Sequence, residues 1–223
     1  MPVEFMATSA PSFTLYGDGT VVFRDPTTMP PHGNDNVARS TPFMTARLDE
    51  DAIQALLNDA LGPGALAIAK GPYMGHAADI PTTTFTISIG GQTKSVSVSG
   101  VSPDMYNQDK AVITALAAFA QKLGSFGSSI SSVQPYAPAA YRGILVPVDQ
   151  PFGPVIDWPW TDLSPDDFTA GENEFARTHV ITPADVEAIG IKNIVGGMSG
   201  VALKSKGKLF TFSLRPLLPD ESK

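Results

Sequence analysis

The stretch from residue 82 to residue 99 reads TTTFTISIGGQTKSVSVS, and the predicted fold is built around it. Apolar and hydroxyl residues alternate on both sides of Gly90-Gly91, which is typical of strands with one buried face. A Gly-Gly pair supplies the positive φ angles of a two-residue turn. With that turn Phe85 faces Val96, and the apolar residues share one face of a β-hairpin. A shift of one residue would set valines opposite serines, so the pattern predicts a single register.

The second face of this hairpin carries hydroxyl side chains almost throughout. They are contributed by Thr82, Thr84, Thr86, Ser88, Thr93, Ser95, Ser97 and Ser99. One interpretation is a hydroxyl array that binds a glycan or another polar surface. The other is an ordinary solvated face, which is the commoner reason for such a pattern in antiparallel sheets.

An amphipathic helix is predicted directly after the hairpin. Its apolar residues recur at helical spacing and form one stripe, made of Val112, Leu116, Phe119, Ala120 and Leu123. Asn107 is the predicted N-cap, and Gly124 is the predicted C-terminal stop. We expect the stripe to lie across the apolar face of the hairpin.

Related patterns occur on both sides of this centre. A hairpin is predicted over residues 12–24 around a Gly17-Asp18-Gly19 loop, and Asp49 is predicted to cap a helix that ends at Leu61. A final hairpin is predicted to turn at Lys206-Gly207. The expected fold class is α+β, with an antiparallel sheet built from β-hairpins and helices packed on one face, in ββα-type repeats.

Four parts are expected along the chain. Residues 1–11 are predicted to be a flexible N-terminal tail, and residues 12–149 a ββα-repeat α+β domain. Residues 150–219 are predicted to form a C-terminal subdomain with short helices and the final hairpin, packed on the first domain. Residues 220–223 are expected to be a solvated tail.

Composition excludes several classes of function. The 223 residues carry a net charge of −7 and no cysteine. The acidic balance disfavours binding to nucleic acid, and a chain without cysteine has no thiol nucleophile and no disulfide. No apolar run reaches the roughly 20 residues of a membrane span. Low charge with abundant Gly and Pro favours a secreted or extracytoplasmic bacterial protein, with a lipid anchor in the full-length precursor left open.

Two groups of residues are candidates for ligand binding. Trp158 and Trp160 stand close together near a loop, where indole rings can stack on sugars or on a proline-rich peptide. Covering a core beneath a loop is their commoner role. The second group is Tyr73, His76 and Asp79, which precede the first threonines of the hairpin. His76 and Asp79 can form a base and its orienting carboxylate, or Asp79 can simply make local turn bonds.

Three segments resemble uncharacterised secreted or lipid-anchored bacterial proteins. They are FTLYGDGTV at residues 13–21, DIPTTTF at residues 79–85 and LRPLLPDE at residues 214–221. The resemblance implies an extracytoplasmic setting and supplies no catalytic residues.

Three functional hypotheses remain. The first is a non-enzymatic binding or interaction module of the bacterial envelope, with a glycan or an envelope protein as partner and no cofactor. The second is a hydrolase or metal-dependent enzyme in which His32, His76 and His179 converge, although no spacing in the sequence predicts a metal site. The third is an assembly protein whose exposed hairpin adds a strand to a partner sheet.

Overall fold

The computed structural model of the protein describes residues 9–75, 79–170 and 175–221. Over these residues the chain forms thirteen strands and three α-helices, which confirms the predicted α+β class with strand as the larger share. The strands are β1 Phe13–Leu15, β2 Thr20–Arg24, β3 Ala38–Arg39, β4 Phe43–Arg47, β5 Thr82–Ile89, β6 Gln92–Ser99, β7 Gln134–Pro135, β8 Tyr141–Val148, β9 Val155–Asp157, β10 Thr169–Ala170, β11 Arg177–Ile181, β12 Met198–Ser205 and β13 Lys208–Pro216. The helices are α1 Glu50–Leu61, α2 Lys110–Gly124 and α3 Pro183–Ala188.

The strands form three sheets. One sheet has four strands in the order β1-β2-β4-β7, and another consists of β5 and β6 alone. The largest has the order β10-β11-β8-β13-β12-β3, with β9 also paired to β12. This seven-stranded sheet is antiparallel except for β9, which runs parallel to β12.

Contacts divide the chain into two units. Unit 1 contains the described residues up to Thr14, then Val22–Ala46, and everything described from Val133 onward. Unit 2 contains Leu15–Val21 and Arg47–Ser132. The predicted boundary at residue 150 falls between β8 and β9, and both of these strands belong to the seven-stranded sheet of unit 1.

The central hairpin of unit 2 has the predicted register. Phe85 pairs with Val96 and Ile87 with Lys94. The turn residues Gly90 and Gly91 have φ angles of 58° and 78°, which a glycine pair adopts without strain. The register follows from local chemistry, because both the turn and the alternation favour it.

Helix α2 covers the apolar face of this hairpin, as predicted. The rings of Phe85 and Phe119 lie 6.2 Å apart, and Leu116 is fully buried in the same cluster. Ile113 is also fully buried, whereas Val112 is only partly so. The face that packs is therefore rotated slightly from the predicted stripe.

The predicted start of α2 at Asn107 is wrong. The helix begins at Lys110, and its N-cap is Asp109, whose φ of 55° turns the chain into the helix. The cause lies at Tyr106, whose buried hydroxyl donates to the Ser99 carbonyl at 2.6 Å. Because this bond holds Tyr106 against the end of β6, the helix begins only four residues later, at Lys110. At the other end, Gly124 lies within the helix and Ser125 is the C-cap.

Two other local predictions are confirmed in unit 2. Asp49 caps α1 by accepting from the Ala52 N–H at 2.9 Å, and the helix ends at Leu61. The three-residue loop before β2 is closed by a bond from the Tyr16 N–H to the Thr20 carbonyl. Gly19 occupies the left-handed position of that loop, with a φ of 88°.

Unit 1 has its own core on the seven-stranded sheet. Trp160, Phe168, Leu203 and Phe212 are buried there among other apolar side chains. In β13 the residues from position 211 to position 216 are all buried, so both faces of this strand are covered. Strand β13 therefore lacks the polar outer face that the β5–β6 hairpin has.

Candidate functional site

The hydroxyl face of the β5–β6 hairpin forms a regular ladder of four rungs. In each rung a hydroxyl of β5 lies within hydrogen-bonding distance of the hydroxyl opposite it on β6. The oxygen–oxygen distances are 3.1 Å for Thr82–Ser99, 3.2 Å for Thr84–Ser97, 3.2 Å for Thr86–Ser95 and 2.8 Å for Ser88–Thr93. We call these eight residues the hydroxyl ladder. Its rungs repeat about every 6.8 Å, because alternate residues of a strand share a face.

The ladder faces outward. Its side chains on β5 are all exposed, and on β6 exposure decreases from Thr93 and Ser95 through Ser97 to the buried Ser99. Within a rung one hydroxyl donates to the other. The three rungs nearest the turn therefore each keep one O–H donor and several lone pairs that can bind an external polar group, whereas in the Thr82–Ser99 rung the hydroxyl of Ser99 also donates to Met74 Sδ.

The opposite face holds the ladder in place. Val96 and Val98 are almost fully buried, and Phe85 packs with α2. The hydroxyls thus stand on a backbone fixed by both the hairpin bonds and the apolar cluster beneath. Ser and Thr side chains are short, so ordering them against a ligand costs less entropy than ordering long polar side chains.

Tyr73, a predicted ligand-binding residue, lies beside β6. Its backbone N–H donates to the Ser97 carbonyl at 2.8 Å, and its carbonyl accepts from the Ser99 N–H at 2.9 Å. Its hydroxyl accepts from the Lys70 N–H at 2.9 Å. These contacts make Tyr73 a support for the edge of β6. Ligand binding by its ring stays a prediction.

Met74, in the loop after Tyr73, contacts the Thr82–Ser99 rung, which is the end of the hydroxyl ladder farthest from the turn. Ser99 Oγ lies 3.8 Å from the Sδ of Met74, and the Met74 residue is 71% exposed. Asp79, another predicted site residue, is exposed three positions before Thr82 and has a φ of 56°. His76 lies outside the described residues, so the proposed His76–Asp79 pair also stays a prediction.

Trp158 and Trp160 belong to unit 1, whereas Tyr73 and Asp79 belong to unit 2. The two indole rings meet edge to face at 5.1 Å. Trp158 Nε1–H donates to the Leu163 carbonyl at 2.6 Å, and Trp160 Nε1–H donates to the Asp185 carbonyl at 3.0 Å. Trp160 is buried and Trp158 is half-buried, so both rings contribute to the core.

The structure describes two of the three histidines of the sequence, His32 and His179. His179 Nδ1 lies 3.1 Å from the Asp167 carbonyl, and its ring packs on Phe168 at 5.3 Å. His32 is exposed in the loop between β2 and β3. Within residues 9–75, 79–170 and 175–221, no three His, Asp or Glu side chains are grouped so that they could hold a metal ion.

A charged cluster at the end of β13 was not predicted from the sequence. Arg215 is buried and forms a bidentate ion pair with Glu221, with Nη1–Oε2 at 2.7 Å and Nη2–Oε1 at 2.6 Å. Glu221 also accepts from the Leu218 N–H at 3.0 Å, and Arg142 lies 3.9 Å from it. The only signal was an arginine in an otherwise apolar strand, followed by an acid six positions later.

This cluster perturbs the acid–base behaviour of its members. Burial by itself would raise the pKa of Glu221, but the hydrogen bonds from Arg215 and Leu218 and the charges of Arg215 and Arg142 hold that pKa below its usual range. Burial also lowers the pKa of Arg24, and the nearby charge of Arg215 lowers it further. The carboxylate of Glu221 therefore compensates a concentration of positive charge inside unit 1.

Comparisons with protein-family models, with curated proteins and with solved structures found no match to this chain. The likeness of three segments to secreted bacterial proteins therefore stays an interpretation. In the part of the chain that the structure describes, no helix combines the length and the apolar character needed to cross a bilayer.

Proposed function

We propose that the protein is a non-enzymatic binding module that works outside the cytoplasm, at the bacterial envelope, and that the hydroxyl ladder is its binding surface. The observation that carries this proposal is the repeated cross-strand pairing of hydroxyls on an exposed face. A face that only had to contact water would need neither hydroxyl side chains throughout nor pairing of these hydroxyls across the strands.

The proposed ligand is a polymer rich in hydroxyl groups, such as an envelope glycan. Sugar hydroxyls both donate and accept hydrogen bonds, and each of the three rungs nearest the turn offers a donor together with acceptors. Charged side chains are absent from residues 80–93, so no carboxylate or ammonium group would have to be desolvated along β5. A repeating ligand can bind to several rungs at once, so that several weak contacts together give a higher affinity than any single contact.

Composition supports the proposed location. The chain has few charged residues, no cysteine and 20 residues each of Gly and Pro. Its net charge of −7 also favours a neutral or cationic partner over nucleic acid.

Binding to glycans tests this proposal directly. Wild-type protein is applied to a glycan array and sedimented with insoluble envelope polysaccharide, beside the double variant Thr84→Val/Thr86→Val. Valine keeps the branched shape and the strand preference while it removes the hydroxyl. We expect wild-type protein to bind and the double variant to lose at least about tenfold in affinity, or 1.4 kcal/mol.

A matched control is Thr169→Val, which removes an exposed strand hydroxyl in unit 1. This variant should bind like the wild-type protein. If the wild-type protein binds no glycan, or if the double variant binds as well as the control, the hydroxyl ladder is not the binding surface.

A further inference from the structure

Strand β5 has an outer edge whose backbone groups are arranged for pairing. Tyr73 bonds to the N–H of Ser99 and to the carbonyl of Ser97, so these groups point away from β5. Across an antiparallel pair, opposite residues have the same hydrogen-bonding sense. The backbone groups of Thr82 and Thr84, which face Ser99 and Ser97, therefore also point outward, on the other side of the hairpin.

The same sense recurs at every second residue, so β5 presents outward N–H and C=O groups at its even positions: Thr82, Thr84, Thr86 and Ser88. Within the described residues, β5 has β6 as its only strand partner, and no other backbone group bonds to this row. The side chains at these positions are exposed, and Ile89 at the tip is 47% exposed.

In the part of the chain that the structure describes, the edge strands of the other two sheets are all short. Proteins protect edge strands by keeping them very short or by adding charge or proline. Strands β3, β7 and β10 have two residues each, and β1 and β9 have three. Arg39, Pro135 and Asp157 lie in three of them.

β5 has none of these protections. It has eight residues, with no charge and no proline among them. A long, uncharged, regular edge is a pairing site for another strand, and it would be a hazard if it stayed open.

The edge of β6, unlike that of β5, is partly covered by another segment of the chain. Tyr73 occupies it at Ser97 and Ser99, and the Lys94 ammonium, on the apolar face of the same strand, donates to the Ala67 carbonyl at 2.9 Å. The edge of β5 is therefore open along the whole strand, whereas the edge of β6 is covered at Ser97 and Ser99 but, within the described residues, not at Thr93 and Ser95 near the turn. Pairing of β5 with the same edge of a second copy uses up the one fully open edge on each copy, so the assembly closes after two copies instead of growing into a fibre.

We propose that β5 pairs antiparallel with β5 of a second copy of this chain, which makes a four-stranded sheet across a two-fold axis. All outward residues are even-numbered, so each antiparallel register sets even positions of one copy opposite even positions of the other. Hydroxyls then meet hydroxyls on one face. On the other face Thr83, Phe85, Ile87 and Ile89 meet their counterparts. The strand is complementary to itself, and it carries no charge that would repel its copy despite the net charge of −7.

Pairing would also join the two hydroxyl ladders into one surface of four columns. The pairing of β5 does not depend on what that surface binds, because it uses only the backbone groups at the strand edge. Loss of glycan binding in Thr84→Val/Thr86→Val would leave the backbone pairing of β5 intact. The two proposals can therefore fail separately.

Sedimentation velocity of the full chain over a wide concentration range tests the pairing. We expect a monomer–dimer equilibrium for the wild-type protein. Thr86→Pro removes an outward N–H, so the bonds within the hairpin remain while one bond to the second copy is lost. Its dimer dissociation constant should rise by at least about tenfold.

Ser95→Pro is the matched control, because Ser95 lies opposite Thr86 and its N–H points outward on the β6 side. It should leave the dimer unchanged. Circular dichroism checks that both variants fold. If Thr86→Pro does not fold, Thr86→Lys replaces it, since two lysines at the shared edge repel each other, with Ser95→Lys as its control.

Three outcomes would overturn the inference. The first is a wild-type protein that stays monomeric throughout the concentration range. The second is an equal weakening of the dimer by the substitutions at Thr86 and at Ser95. The third is open-ended assembly in place of a dimer.

Discussion

Polar residues differ in burial between the β5–β6 hairpin and strand β13 of the seven-stranded sheet. In the hairpin, hydroxyl residues alternate with apolar ones and lie on the outer face, where they pair across the strands. In β13 the alternating polar residues Thr211, Ser213 and Arg215 are buried together with their apolar neighbours. The same alternation of residue types therefore produces a surface in one place and an interior in the other.

Burial changes what a polar residue requires. An exposed hydroxyl can always bond to water, but a buried guanidinium needs a partner of opposite charge. Arg215 obtains one from Glu221, which orders the chain beyond β13. The exposed hydroxyls of the ladder need no such compensation, because water can bond to them.

The largest loss of stability is expected for a substitution at Phe212, in the seven-stranded sheet. This side chain is fully buried in unit 1 and meets the ring of Trp160 at 5.7 Å. Phe212→Ala should lower the free energy of unfolding by about 3–5 kcal/mol, because it removes apolar contacts and leaves a cavity. Urea denaturation followed by fluorescence measures the change. The exposed residue Phe152 is the control, and Phe152→Ala should shift stability by less than about 0.5 kcal/mol.

The next largest loss of stability is expected for a substitution at Glu221. Glu221→Gln leaves the buried Arg215 without its counter-charge and should lower the free energy of unfolding by about 1–3 kcal/mol. Denaturation at neutral pH measures it. Glu187→Gln makes the same chemical change at an exposed position of α3 and should be nearly neutral. Equal stability of the two variants would mean that the buried pair contributes nothing.

Glu221 also predicts a pH dependence. Its pKa is lower in the folded protein than in the unfolded chain, so its stabilising effect is complete above the unfolded value of about 4.3. That effect is lost as the pH falls through the folded pKa, which lies below this value. We expect Glu221→Gln to flatten the acid limb of the stability profile relative to the wild-type protein. Parallel profiles for the two proteins would contradict this.

A smaller effect is expected at the turn of the hairpin. Gly91 has a φ of 78°, which an alanine adopts only with strain, so Gly91→Ala should cost about 1–2 kcal/mol. Gly17→Ala is a matched control, since a Cβ there meets open space and no left-handed φ is involved. The difference in unfolding free energy between these variants shows how strongly the turn fixes the register.

The smallest effect should come from a single rung of the hydroxyl ladder. A double-mutant cycle with Thr86→Val and Ser95→Ala should give a coupling energy of about 0.2–1 kcal/mol, the range for cross-strand pairs. Thermal denaturation of the four proteins measures it. A coupling above that range would mean that the rungs act mainly as structural elements, which would weaken the proposal that they serve a ligand.

Local features of the fold could be predicted, and the reason is visible in particular residues. Gly90-Gly91 and the flanking alternation define β5 and β6 without help from the rest of the chain. Asp49 caps α1 through a bond to an amide three residues away. The start of α2 could not be predicted, because Tyr106 bonds to a carbonyl at the end of β6 and delays the helix.

The candidate site was predictable in part for the same reason. The hydroxyl side chains could be assigned to one face from their spacing, but the open edge of β5 could not. Whether an edge is open depends on which other segments reach it, and Tyr73 covers only β6. The tryptophans were visible as a pair, yet their N–H partners at Leu163 and Asp185 follow from tertiary packing.

The sequence by itself determined the central hairpin, its register and its hydroxyl face, because turn geometry and period-two alternation act between near neighbours. Only the tertiary structure decided that β13 would be buried on both faces and that Arg215 would meet Glu221 there. The order of seven strands depends on contacts between distant segments, which no local pattern encodes. Burial, and with it the chemistry of a polar residue, is a property of those contacts.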